Sequence, residues 1–152
     1  MKRLLSFLLL VAVSGCATAQ IPNYLPDKNS YKKKFYADYD QSYQAIQETL
    51  KDLGWKVQDV VDPKVYEQNR AVVPESKEVL LFTQSRQTPL FVGTRYARVN
   101  IYLRSNKGVS EVEIRYLTIN SLLFRNLESY RNDSAVKRIF ERLGELLNVK
   151  ND

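Results

Sequence analysis

The 152 residues carry 23 Lys and Arg against 17 Asp and Glu, a formal charge of +6, with a single cysteine and no histidine. The missing histidine excludes Ser-His-Asp and Cys-His catalysis and removes the commonest general base and metal ligand. One cysteine excludes an internal disulfide framework, so stability must come from packing. Apart from Lys32-Lys33-Lys34 the basic residues are scattered without a recognition motif, so nucleic acid is not an expected partner.

Lys2 and Arg3 precede an apolar run from Leu4 to Val13, interrupted only by Ser6. About ten residues is roughly half of what a helix needs to cross a bilayer, which makes residues 1–15 a removable export signal rather than an anchor. The run closes on Val13-Ser14-Gly15-Cys16, which resembles the lipobox of bacterial lipoproteins. That resemblance implies diacylglycerol on the Cys16 sulfur, cleavage after Gly15 and acylation of the new amino group. Two or three chains at about 0.8 kcal/mol per buried methylene hold far better than one. Ala17-Thr18-Ala19 offers a competing cleavage site that would discard Cys16 and release a soluble chain beginning at Gln20. Loss of Lys2 and Arg3 with the signal lowers the formal +6 by two, leaving a mildly basic chain suited to weak attraction by anionic headgroups.

Residues 16–30 are expected to be the lipidated Cys16 and a flexible tether, polar from Ala17 to Ser30, broken by Pro22 and Pro26 and reaching roughly 45 Å when stretched. A single domain is expected over residues 31–150. Phe35, Ala37 and Tyr39 alternate in a first strand, and Asp40 is the expected N-cap of a helix carrying Tyr43, Ile46, Leu50 and Leu53. Gly54 is its C′ residue, with Trp55 returning to the core. Residues 56–61 form a second strand, and Asp62-Pro63 starts a turn or short helix. Glu78 to Gln84, apolar on both faces, forms a third strand.

Residues 93–104 and 109–119 read as a β-hairpin. Ala97, Val99, Ile101 and Leu103 face the core, as do Val112, Ile114 and Tyr116 on its second strand. Arg104 is expected near Glu111. A final helix begins near Asn132 or Asp133, with Val136, Ile139, Phe140, Leu143, Leu146 and Leu147 as its stripe. The order β-α-β-β-β-β-α predicts an α+β two-layer sandwich, an antiparallel sheet of about five strands with both helices on one face.

That order, with Asp40-Gln41-Ser42-Tyr43 leading into Leu50-Lys51-Asp52-Leu53-Gly54-Trp55, resembles the helix-grip, BamC-like domains of small outer-membrane lipoproteins. The resemblance implies a helix-grip fold and a role in assembling outer-membrane complexes. BamC has two such domains, whereas this chain has room for one. Ala17, rather than aspartate, after Cys16 implies sorting to the outer membrane with the domain facing the periplasm.

No phosphate-binding glycine loop, metal-ligand cluster or cofactor motif is present, so neither metal nor cofactor is expected and the chain does not read as an enzyme. Glu111 and Glu113 share a strand face, where cross-strand pairing with arginines on a solvated surface is the simpler reading than an acid/base pair. Tyr96, Arg98, Tyr102 and Arg104, on the outward hairpin face, are residue types enriched in interface hot spots. Leu90 and Phe91 precede the hairpin, and Leu123 and Phe124 follow it. Antiparallel pairing puts both clusters at one end of the sheet, either closing the core or forming an exposed patch. The expectation is a non-enzymatic, membrane-anchored envelope lipoprotein that binds an envelope protein or assists assembly. The alternative is a binder of a small apolar ligand or lipid between sheet and helix.

Overall fold

Alternation along residues 93–122 builds the centre of the fold. Here β5 (Gly93–Asn106) and β6 (Val109–Leu122) pair antiparallel from Thr94↔Ser121 to Asn106↔Val109. The computed structural model describes residues 20–122 and 125–149. The remaining strands are β1 (Tyr31–Phe35), β2 (Val57–Val61), β3 (Lys77–Thr83), β4 (Arg86–Leu90) and β7 (Arg125–Ser129). The helices are α1 (Tyr39–Asp52) and α2 (Asp133–Val149). The fold is α+β, with an open antiparallel sheet ordered β1-β6-β5-β3-β2. In addition β4 pairs with the beginning of β5 and β7 with the end of β6.

Seven strands replace the expected five, because two are illegible by periodicity. β4 is Arg-Gln-Thr-Pro-Leu, and its Pro89 suits an edge where no amide hydrogen bond is needed. β7 is exposed along its whole length and so carries no apolar signal. The hairpin strands are longer than expected because the turn contains only Lys107 and Gly108, both at positive φ, as a tight two-residue turn requires.

Residues of one parity, Val99, Ile101 and Leu103 on β5 with Val112, Ile114 and Tyr116 on β6, form the main core with Val79, Leu81 and both helices. α1 contributes Ala45, Ile46 and Leu50; α2 contributes Val136, Ile139, Leu143 and Leu147. The expected α1 stripe is present, with Tyr43 and Leu53 at its partly buried margin. Its N-cap is Asp38 rather than Asp40: the Asp38 carboxylate accepts the Gln41 amide at 2.8 Å, and the Gln41 side chain caps the Asp38 amide in return. At the other end Gly54 takes φ +71 and donates to the Lys51 carbonyl, closing the helix as expected.

Residues of the other parity are covered too. Leu25 is wholly buried against Leu117 and Ile119, with Ile21, Tyr96 and Tyr130 around them. Leu80, Phe82 and Tyr102 form a third apolar group with Tyr24 and Val61. For residues 21–30 the flexible-tether reading is therefore corrected, since this stretch packs across the sheet. Polar composition concealed it because its attachment uses backbone carbonyls and the unevenly spaced Ile21, Tyr24 and Leu25 rather than a periodic stripe.

Candidate functional site

The outward hairpin face carries four of the sequence-selected residues, and its chemistry begins with two adjacent outward positions of β6, Glu113 and Arg115. Strand geometry points both away from the helices, where solvent would be expected. Instead Glu67 and Arg70, from the segment after the short 3₁₀ turn Pro63–Val65, lie over them. The four side chains close a ring. Glu67 Oε2 meets Arg70 Nη1 at 2.6 Å, Arg70 Nη2 meets Glu113 Oε2 at 2.5 Å, Glu113 Oε1 meets Arg115 Nε at 2.7 Å, and Arg115 Nη2 returns to Glu67 Oε1 at 2.5 Å. Two carboxylates and two guanidinia make the ring neutral. Lys32 adds a 3.5 Å contact to Glu113 from its exposed position on β1.

Burial raises the cost of charge on Glu113, yet hydrogen bonds and charge from Arg70 and Arg115 outweigh it and hold the carboxyl below its ordinary range. For Arg115, burial pulls the other way and Glu113 with Glu67 raises its proton affinity above the ordinary value. Both Glu113 oxygens are engaged and the group stays ionised, which is unsuited to a general acid. The solvated-face reading of Glu113 is corrected: it is fully buried, and its arginine partners lie along its own strand and in the covering loop, with Lys32 across from it on β1.

The covering elements also occupy the expected interface residues. Arg98 is buried and donates to the Pro22 carbonyl at 3.2 Å and to Asn23 Oδ1. Asn100 donates to the Asn23 carbonyl at 2.9 Å, and Arg115 to the Leu25 carbonyl at 3.0 Å. Tyr102 is inaccessible to solvent, with the Arg70 guanidinium 3.8 Å from its ring centre. Arg104, which is opposite Glu111 in register as expected, directs its charge instead to Glu78 at 2.7 Å. Tyr96 and Arg104 are half-buried. Arg98 and Tyr102 are thus internal partners of the 21–25 and 67–76 segments, and an open Tyr/Arg patch on this face is corrected.

Accessible apolar surface lies elsewhere. Phe91 and Val92 form the turn between β4 and β5 and are exposed, Phe91 completely. Leu90 is half-buried at the end of β4. Leu122 and Leu127 are exposed on the neighbouring β6–β7 pair. The backbones approach closely here: a Cβ on Gly93, at φ +110, would lie 2.0 Å from the Ser121 carbonyl oxygen. Leu123 and Phe124 lie outside the described residues, as do Cys16 and the export signal.

Between α1, α2 and the sheet a cavity of about 140 Å³ is lined by Leu53, Trp55, Arg86, Tyr116, Asn132, Ala135 and Arg138. The Arg86 guanidinium stacks 3.6 Å from the Trp55 ring centre and donates to the Leu53 carbonyl. No group of three or more His, Cys, Asp or Glu suited to a metal occurs among the described residues. No described helix is long and apolar enough to cross a membrane. No protein-family model matches the chain, and no curated protein matches it.

The residues that organise this face and escaped sequence reading are Tyr24, Leu25, Glu67 and Arg70. Their signal was weak: an apolar pair in a proline-broken stretch, and an Arg-Glu pair spaced by three. Only the adjacent outward Glu113 and Arg115 hinted that partners were needed.

Proposed function

We propose that the chain is a non-enzymatic bacterial envelope lipoprotein, anchored through lipid on Cys16 and serving as a protein-interaction or assembly module at the outer membrane. The observation that carries this reading is Val13-Ser14-Gly15-Cys16 at the end of a short apolar run, with the chain's sole cysteine at the one position lipidation requires. The BamC-like resemblance adds the assembly role. The charged side chains on the outward face support it indirectly, since they are engaged in holding the fold rather than presented to a substrate.

Intact-mass analysis and membrane fractionation test the anchor in cells producing the wild-type chain or Cys16→Ala. The wild type is expected in membranes with diacylglycerol attached, and the variant to lose both the added mass and membrane retention. Equal retention of the variant would refute the anchor. Crosslinking in cells, followed by identification of joined envelope proteins, tests the module role.

The alternative, a binder of a small apolar molecule, is favoured by the cavity beside Trp55 and Tyr116. Its volume decides how far that reading extends. A cavity near 150 Å³ accommodates a benzene-sized guest, far smaller than a lipid. Two arginines on its wall further disfavour an apolar guest. A ligand retained in native mass spectrometry would reverse this preference.

A further inference from the structure

We propose that the end of the sheet bearing the Phe91–Val92 turn is the membrane-facing end of the domain, in contact with the lipid surface to which Cys16 is attached. The inference rests on the lipoprotein reading and adds an orientation to it.

The path of the N-terminal segment sets the geometry. Asn23 is bound at Asn100, Pro22 at Arg98, and Ile21 packs in the group containing Tyr96. The segment therefore lies over the Gly93 half of β5, with Ile21 in the apolar group of Tyr96, three strand residues from Gly93 and the Phe91–Val92 turn. Four residues separate Cys16 from Ile21, so the Cys16 Cα lies within about 18 Å of Ile21 whatever path they take. The roughly 45 Å reach of a free tether is thereby lost, because residues 21–30 belong to the domain. From Tyr96 to Gly93 is a further three residues of strand, about 10 Å towards the same end.

The surface at that end suits an interface. Phe91 is completely exposed at its tip, with Val92 beside it and Leu122 and Leu127 on the adjoining strands. Arg125 is exposed level with Leu122 and Arg95 level with Leu127, both positioned for anionic headgroups beside the apolar side chains. Glu128 is the exposed acid on β7 nearby, paired in register with Ile119 and set farther back from the turn. The opposite end carries the Lys107-Gly108 turn with exposed Tyr36 and Val72, but Asn106 is ten strand residues, about 34 Å, from Tyr96, so the leash selects the Phe91 end. A short leash at one end, an unpaired aromatic tip and a cationic rim together specify lipid as the occupant.

The test uses the lipidated full-length chain in vesicles of phosphatidylethanolamine and phosphatidylglycerol. Lipid on Cys16 leaves no free thiol, so Phe91→Cys and, separately, Lys107→Cys give single sites for an environment-sensitive fluorophore. Both positions lie in exposed turns, and matching circular dichroism melts would establish folding. Quencher-bearing lipid is expected to quench the label at position 91 severalfold more than that at position 107. Equal quenching, with the lipid mass on Cys16 confirmed, would overturn the orientation while leaving the anchor intact. Protection at position 91 that scales with protein density, rather than with lipid, would overturn it in favour of a second copy. A chain with unmodified Cys16 and no vesicle retention would remove both the anchor and the orientation.

Discussion

Arg115 Nε lies 2.7 Å from Glu113 Oε1, two residues away on the same strand, with the side chains 1% and 0% exposed. Neither can be relieved by solvent, and each depends on the segment carrying Glu67 and Arg70. Glu113→Gln is expected to cost about 3 kcal/mol or more, because it leaves two guanidinia without their shared carboxylate. Replacing all four ring members together by Met and Leu should recover much of that loss, since the full set of desolvation penalties disappears with the charges. Urea unfolding of both variants measures the difference; a single variant as stable as the wild type would rule out a closed ring in solution.

The same ring gives the fold an acid limit. Glu113 and Glu78 are both held below the ordinary carboxylate range: burial opposes this in each, and is outweighed by Arg70 and Arg115 in the first and by Tyr102, Ser76 and Arg104 in the second. The unfolded chain therefore takes up protons before the folded one as pH falls. Stability contributed by these groups is complete above the unfolded carboxylate value and is lost as pH drops through the lower folded values. Urea midpoints should hold steady down to about pH 5 and then decline. Glu113→Gln should flatten the acid limb, and an unchanged limb would contradict the assignment.

Leu25 ties the N-terminal segment to the outward face. Leu25→Ala is expected to destabilise by about 2–4 kcal/mol, the range for truncating a fully buried leucine, and to open residues 20–30 to proteolysis. Surface substitutions cost within about 0.5 kcal/mol, so a change that small would return the segment to the status of a tether.

Gly93 and Gly108 share positive φ but differ in surroundings. A methyl group at position 93 meets the Ser121 carbonyl, whereas at position 108 nothing lies within 4 Å. Gly93→Ala should cost more than about 2 kcal/mol through backbone displacement, and Gly108→Ala only about 1 kcal/mol of conformational strain. Thermal melts of the pair provide the comparison, and equal costs would place the two β-hairpins farther apart than described.

For α1, Asp38→Ala should lose about 1 kcal/mol of stability and Asp40→Ala much less, because only Asp38 caps the helix amide. The reverse order in urea titrations would restore the sequence-based boundary.

The residue pattern alone determined what depends on local periodicity and punctuation. Alternation in Ala97-Val99-Ile101-Leu103 and Val112-Ile114-Tyr116 specified the core face of the hairpin, the spacing of Ile46 and Leu50 specified α1, and Gly54 its end. The α+β class followed from the order of these elements. Lipidation at Cys16 and the envelope role are also readings of residue order, and stand as proposals. Tertiary structure decided the other face. Nothing local in Pro22-Asn23-Tyr24-Leu25 or in Glu67 and Arg70 requires them to cross the sheet, because their partners are 75 residues or more away for Asn23 and 43 for Arg70. Such long-range pairing turns Arg98, Tyr102 and Glu113 from apparent surface into interior. The same long-range contacts fix residues 21–25 on the sheet, while Phe91 is left fully exposed at the β4–β5 turn.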